Sequence, residues 1–116
     1  GSVALPARRR GYVSPELVDV GSEALSALHS SRPWPSVDAQ RVVQCESGGD
    51  WAETNGDHAG GFQIAVSQHM DKVARVLGHP VSYDEAFAAL LNSEVNIAVA
   101  EIIYLDGHWS AWSCQP

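Results

Sequence analysis

One acidic side chain of this 116-residue chain lies in surroundings suited to proton transfer. Glu46 follows Cys45 and stands shortly before Gly48 and Gly49. We predict that the two glycines end a helix, which places Glu46 in the last helical turn. The helix dipole disfavours negative charge at that end, so the position suits a carboxyl group that acts as a proton donor.

A polar loop and several aromatic residues follow this glutamate. The loop leads into the motif Gly60-Gly61-Phe62-Gln63, and the end of the chain contains Trp109 and Trp112. Indole rings stack on sugar rings, and amide side chains hydrogen-bond to hydroxyl groups as donors and acceptors. The composition therefore fits a carbohydrate cleft, with a plain aromatic core and a loop of no catalytic role as the alternative.

Other chemistries have less support in the sequence. The histidines lack HExxH spacing, the acidic loop at residues 50–57 does not match a calcium loop, and neither GxSxG nor GxGxxG occurs. We therefore predict no metal and no cofactor. The net charge of −7, from 14 acidic and 7 basic residues, argues against nucleic acid as a partner. No apolar run approaches 18 residues, so no membrane span is predicted.

The chain divides into three predicted parts. Residues 1–13 are expected to be a linker or arm, and Gly1-Ser2 resembles a cloning scar. Residues 14–35 should form an N-terminal helix, begun by Ser14-Pro15-Glu16, and a proline-rich connection. Residues 36–116 are the predicted catalytic domain.

Four further helices are expected in that domain, which makes the fold mainly α with about five helices. One should be capped by Ser36 and bury Val37, and the next should be capped by Ser67. Ser82 with Glu85 forms a capping box for the third. A helix from Ser93 or Glu94 is apolar on much of its circumference and should be the buried centre. Only residues 60–64 could form a short β piece.

Three motifs resemble, in this order, the lysozyme-like domain of resuscitation-promoting factors and soluble lytic transglycosylases. They are Cys45-Glu46-Ser47-Gly48-Gly49-Asp50-Trp51, Gly60-Gly61-Phe62-Gln63 and His108-Trp109-Ser110-Ala111-Trp112-Ser113-Cys114. The similarity covers roughly residues 37–114 and implies a fold of the α+β lysozyme superfamily. It also implies that Cys45 and Cys114 form a disulfide, which the two cysteines by themselves leave open against a pair of free thiols.

The resemblance assigns roles to individual residues. Glu46 would be the catalytic acid, and Asp57 is placed like the water-activating aspartate of goose-type lysozymes. Gln63 would bind the glycan backbone or N-acetyl groups, and Asn55 would orient the glutamate or the sugar. The implied substrate-binding set is Ser47, Asn55, Gly61, Gln63, Tyr104, Trp109 and Trp112.

The implied activity is cleavage of the β-1,4 MurNAc-GlcNAc linkage of bacterial peptidoglycan. A lytic transglycosylase needs only Glu46 and leaves 1,6-anhydro-MurNAc ends, whereas a hydrolytic muramidase would also use Asp57. A non-catalytic glycan-binding or docking module is a third possibility. The expected partners are peptidoglycan glycan strands and other domains of a longer parent chain. The expected location is extracytoplasmic, secreted or wall-associated, or else in a phage particle or phage-encoded lysin.

Overall fold

A computed structural model describes residues 32–116. The predicted arm at residues 1–13 and the predicted first helix lie outside the described residues. Four α-helices, two 3-10 helices and a small sheet make up the described part. They are α1 (Ser36–Ser47), β1 (Thr54–Asn55), β2 (His58–Ala59), β3 (Ile64–Ala65), a 3-10 helix (Val66–Gln68), α2 (Met70–Leu77), α3 (Tyr83–Ala89), α4 (Ser93–Gly107) and a second 3-10 helix (His108–Ala111). This confirms a mainly α chain with a small β component, compatible with a lysozyme-like α+β fold.

Helix α1 is flanked by a proline at its N-terminal end and a glycine at its C-terminal end. Pro35 occupies the N-cap position and no side chain caps the helix, so the predicted cap by Ser36 is wrong. The prediction that Val37 is buried is also wrong, since 52% of its surface is exposed. Gly48 ends the helix as predicted, with φ of 67° and its N–H bonded to the carbonyl of Gln44. Only glycine adopts this left-handed conformation without strain.

The other helices begin near their predicted starts, with one correction. Helix α2 begins at Met70, because Ser67 lies in the preceding 3-10 helix and its hydroxyl donates to Asp57 instead of capping α2. The capping box of α3 is confirmed: the Ser82 hydroxyl accepts from the Glu85 N–H at 3.1 Å, and Glu85 Oε1 accepts from the Ser82 N–H at 2.8 Å. Helix α4 begins at Ser93 with Asn92 as its cap.

The sheet lies partly outside the segment predicted to be extended. Strands β1, β2 and β3 are antiparallel neighbours in that order, and a two-residue turn at residues 56–57 joins the first two. Residues 60–63 form a turn rather than a strand, because Gly60 at φ 81° and Gln63 at φ 50° reverse the chain. The hydrogen bond from the Phe62 N–H to Asn96 Oδ1 holds this β2–β3 turn against α4.

Helix α4 is the centre of the domain, as its apolar circumference predicts. Asn96, Ile97 and Ala100 are fully buried in it, and Phe62 and Leu90 pack into the same core with no exposed surface. The core also includes Trp34, which is only 5% exposed and lies two residues before the predicted start of the domain. No single helix of residues 32–116 is long and apolar enough to cross a bilayer.

Candidate active site

Glu46 is held at the end of α1 by the last residues of the chain. Its Oε2 accepts one hydrogen bond from the Cys114 backbone N–H at 3.0 Å and a second from the Ser113 hydroxyl at 3.2 Å. Within the described residues, Oε1 receives no hydrogen bond. Glu46 is half-buried, and only one of its two carboxyl oxygens is fixed by hydrogen bonds from the described residues.

A disulfide joins the residues next to these contacts. Cys45 and Cys114 are bonded, with their Cα atoms 6.0 Å apart, which confirms the pairing implied by the family resemblance. Cys45 directly precedes Glu46, and Cys114 supplies the amide that binds it. The covalent link therefore places the end of α1 and the C-terminal tail side by side.

Gln63 binds the end of the loop that joins α1 to the sheet. It is 8% exposed, and its Nε2 donates to the carbonyl of Glu53 at 3.1 Å and to that of Gly60 at 2.9 Å. Both hydrogens of its amide are therefore used inside the protein. Contact with a glycan, as the resemblance implies, is left to the amide oxygen.

The two glycines of the motif are required by close packing. A Cβ at Gly60 would collide with the side-chain amide of Asn96 and the carbonyl of Leu90, and a Cβ at Gly61 would collide with the ring of Trp51. Gly61 is buried against that indole, and its expected role in substrate binding stays a prediction. Trp51 itself is half-buried.

The aromatic residues of the tail pack mainly against one another. Trp109 is 9% exposed and stacks on Trp34 with ring centroids 5.5 Å apart, and Trp112 is 7% exposed and lies 5.4 Å from Trp109. Trp112 donates its Nε1 hydrogen to the Phe62 carbonyl at 2.9 Å. Tyr104 is 9% exposed and contacts Trp34 and Trp109 edge-on. The three residues expected to contact sugar are therefore largely buried in the aromatic core.

Two polar residues of the implied substrate-binding set, Ser47 and Asn55, differ from each other in their hydrogen bonding. Ser47 donates its hydroxyl to the Val43 carbonyl at 3.0 Å, a bond within α1. Asn55 is exposed in β1 opposite His58, and no hydrogen bond of the described residues joins it to Glu46. An exposed amide beside the loop is free to meet a ligand, whereas the serine is occupied by its own helix.

Asp57 is fastened by neighbours on two other elements. Its Oδ1 accepts from the Tyr83 hydroxyl at 2.7 Å and from the Ser67 N–H at 3.1 Å, and its Oδ2 accepts from the Ser67 hydroxyl at 2.6 Å. The Ser67 and Tyr83 hydroxyls hold the pKa of Asp57 below its ordinary value. The hydrogen bond that Tyr83 donates to Asp57 raises the pKa of Tyr83. Asp57 therefore joins the β1–β2 turn to the first 3-10 helix and α3 as an ionised side chain.

Comparisons with known proteins give one informative match. The resuscitation-promoting factor Rpf1 of Corynebacterium glutamicum is 33% identical over 93 residues, which are 79% of this chain and 45% of that protein. The chain carries a domain like that of the resuscitation-promoting factors. It spans less than half the length of this relative. No family model matches the chain, and no solved structure does.

Asn96 is the most consequential residue for which no individual role was predicted, although it begins the segment from Asn96 to Tyr104 that resembles a cleft-lining helix of the family. It is fully buried in α4, its Oδ1 accepts from the Phe62 N–H at 3.0 Å, and its Nδ2 donates to the carbonyls of Ala59 and Leu90. The side chain therefore fixes the β2–β3 turn that carries Gln63. A polar residue within the apolar stretch from Val95 to Ala100 was the signal that could have identified it.

The described residues offer no evident metal site. Within residues 32–116, no three His, Cys, Asp or Glu side chains cluster as a metal ion would require. Both cysteines are in the disulfide, so neither is a thiol nucleophile. The arrangement available for chemistry is the half-buried Glu46, whose Oε1 accepts no hydrogen bond from the described residues.

Proposed function

We propose that this domain cleaves the MurNAc-GlcNAc linkage of peptidoglycan by the single-acid route of a lytic transglycosylase. The observation that carries the proposal is the state of Glu46, whose Oε2 is bound to the tail while its Oε1 has no partner among the described residues. Similarity to a resuscitation-promoting factor supports the same class of site. Because the relative is longer, the proposal concerns the domain alone.

The reaction needs one group that gives a proton and then takes one. Glu46 would donate its proton to the glycosidic oxygen as the bond from that oxygen to the MurNAc anomeric carbon breaks. The muramic C6 hydroxyl would attack the anomeric carbon, and the Glu46 carboxylate would take the hydroxyl proton. The products are a free GlcNAc hydroxyl end and a 1,6-anhydro-MurNAc end, and no water is consumed.

The contacts of Asp57 favour this route over hydrolysis. A water-activating base needs a lone pair directed at water, but hydrogen bonds from Ser67 and Tyr83 engage both oxygens of Asp57 and make it a weaker base. We therefore assign Asp57 to holding the β1–β2 turn. The muramidase alternative requires that Asp57→Asn abolish turnover, whereas the transglycosylase route allows it to remain active.

We also propose that the protein acts outside the cytoplasm on peptidoglycan glycan strands. A disulfide next to the catalytic residue needs an oxidising compartment to form and persist. The bacterial relative favours a secreted or wall-associated protein over the phage alternative. Further domains of a longer parent chain belong to the same proposal.

Product analysis tests the proposed reaction. Purified peptidoglycan is incubated with the wild-type protein, Glu46→Gln and Asp57→Asn, and the soluble muropeptides are weighed by mass spectrometry. We expect 1,6-anhydro ends, lighter by one water than reducing ends, from the wild type and Asp57→Asn and no release by folded Glu46→Gln. Reducing ends would show hydrolysis instead. Glycan pull-down without any release would show a binding module.

A further inference from the structure

We propose that the Ser113 hydroxyl and the Cys114 amide position the Glu46 carboxyl group for proton transfer. The proposal rests on the proposed function and adds positioning residues to it. Its starting point is that two consecutive residues of the tail donate to one and the same oxygen, Oε2, at 3.2 and 3.0 Å. Two donors on one oxygen specify which oxygen faces the substrate.

A glutamate without such contacts has no fixed orientation. The torsion that turns its carboxyl group is broad, and immobilising a long side chain costs up to about 2 kcal/mol of rotamer entropy. The two donors hold Oε2 in place, so Oε1 is the oxygen that carries the proton to the glycosidic oxygen. A proton donor already oriented avoids that cost during the reaction.

The donors are themselves fixed on both sides. Before them, the Nε1 of Trp112 donates to the Phe62 carbonyl at 2.9 Å. After them, the side-chain amide of Gln115 donates to the carbonyls of Trp109 and Trp112 at 3.0 and 2.8 Å. Cys114 is also joined covalently to Cys45. The tail therefore presents its donors on a rigid support, as preorganised electrostatic stabilisation requires.

The two donors stabilise the ionised form of Glu46 more than its neutral form. Glu46 is neutral before it protonates the leaving oxygen and negatively charged afterwards. Hydrogen bonds to a charged acceptor are roughly twice as strong as those between neutral groups. The Ser113 and Cys114 donors thus bind Oε2 more strongly as charge develops on it. This lowers the activation barrier of the reaction and leaves the affinity for the substrate unchanged.

Replacement of the hydroxyl tests this positioning role. For Ser113→Ala we expect kcat to fall about tenfold with KM unchanged, since one charge-assisted hydrogen bond is lost in the transition state. Ser113→Thr keeps the hydroxyl and should restore most of the rate. Ser110→Ala is the matched control, because Ser110 is an exposed serine of the preceding 3-10 helix whose hydroxyl donates to the Gly107 carbonyl. It should have wild-type kcat and KM.

Each other result overturns the proposal. An unchanged kcat in Ser113→Ala, a rise in KM alone, or no recovery in Ser113→Thr would show that the hydroxyl does not position Glu46. A faster Ser113→Ala enzyme would show that the tail restrains the glutamate. A wild-type protein without turnover would refute the proposed function and this proposal with it, whereas an active wild type with an active Ser113→Ala refutes only the positioning.

Hydrogen exchange gives a second test that does not depend on activity. The Cys114 amide should exchange more slowly in the wild type than in Glu46→Ala, where its acceptor is absent. The Trp112 amide, which donates to the Trp109 carbonyl at 3.1 Å, serves as an internal control and should be equally protected in both proteins. Equal exchange of the Cys114 amide in both proteins would contradict the contact.

Discussion

The backbone amide of Cys114 lies 3.0 Å from Oε2 of Glu46, although 68 residues separate the two positions in the chain. One residue is in the last turn of α1 and the other is two residues from the C-terminus. The two halves of the candidate site therefore form only when the whole domain has folded. Sequence changes at either end of the domain should affect the same carboxyl group.

Glu46→Asp tests how closely the position of the carboxyl group is set. Aspartate keeps the acid but is one methylene shorter, so it cannot reach both the tail donors and the substrate. We expect turnover of peptidoglycan to fall on the order of 100-fold, as for a misplacement of about 1 Å. Glu46→Gln gives the background rate in the same assay. Wild-type turnover by Glu46→Asp would contradict the positioning of this group.

Removal of the disulfide should lower stability strongly. The bond closes a loop between positions 69 residues apart. In the chain-entropy model, its loss raises the conformational entropy of the unfolded chain and lowers the free energy of unfolding by roughly 4 kcal/mol. We expect Cys45→Ala/Cys114→Ala to lose about that much free energy of unfolding in urea. Reducing agent should destabilise the wild type and leave the double variant unaffected. Equal urea midpoints for oxidised wild type and double variant would refute the expectation.

Asn96→Asp should destabilise the fold far more than the same change on the surface. Aspartate keeps the acceptor for the Phe62 N–H but places an oxygen against the carbonyls of Ala59 and Leu90. Each of the two buried carbonyls left unsatisfied costs about 1–3 kcal/mol, so we expect a loss of at least about 2 kcal/mol in the free energy of unfolding. Asn55→Asp, in an exposed strand, is the control and should change it by less than about 0.5 kcal/mol.

Gly60→Ala and Gly56→Ala form a matched pair. Both glycines have positive φ, 81° and 61°, so alanine is strained at either position by about 1 kcal/mol. A Cβ at position 56 meets open space, whereas one at position 60 collides with the Asn96 amide and the Leu90 carbonyl. Thermal unfolding should therefore show a mild loss for Gly56→Ala and a severe loss for Gly60→Ala. Equal losses would mean that strain alone explains both.

The stability contributed by Asp57 should depend on pH. Hydrogen bonds from Ser67 and Tyr83 hold its pKa in the folded protein below the unfolded value of about 3.9. The contribution is therefore complete above pH 4 and is lost as the pH falls through the lower folded value. We expect Asp57→Asn to be less stable than the wild type at pH 6, with the difference shrinking below pH 4. Tyr83→Phe should show a smaller difference of the same sign. A difference that stays constant down to pH 2 would contradict this.

Local signals accounted for much of the helical framework. The end of α1 at Gly48 and the capping box of α3 depend on the residue at the position itself, and both were predicted. The apolar circumference of α4 predicted its central burial. The start of α2 was misplaced because the hydroxyl of Ser67 binds Asp57, ten residues earlier in the chain. A local pattern carries no information on such a partner.

The sequence by itself determined which residues have the right chemistry. It singled out the glutamate at a helix end, the two glycines at residues 60–61 and the aromatic tail, because motifs and short-range periodicity depend on neighbouring residues. Only the tertiary structure decided what each one does. Trp109 and Trp112 are buried in the core, and the tail donates two hydrogen bonds to one oxygen of Glu46. The physical reason is that burial and hydrogen-bond partners depend on residues brought together from distant parts of the chain.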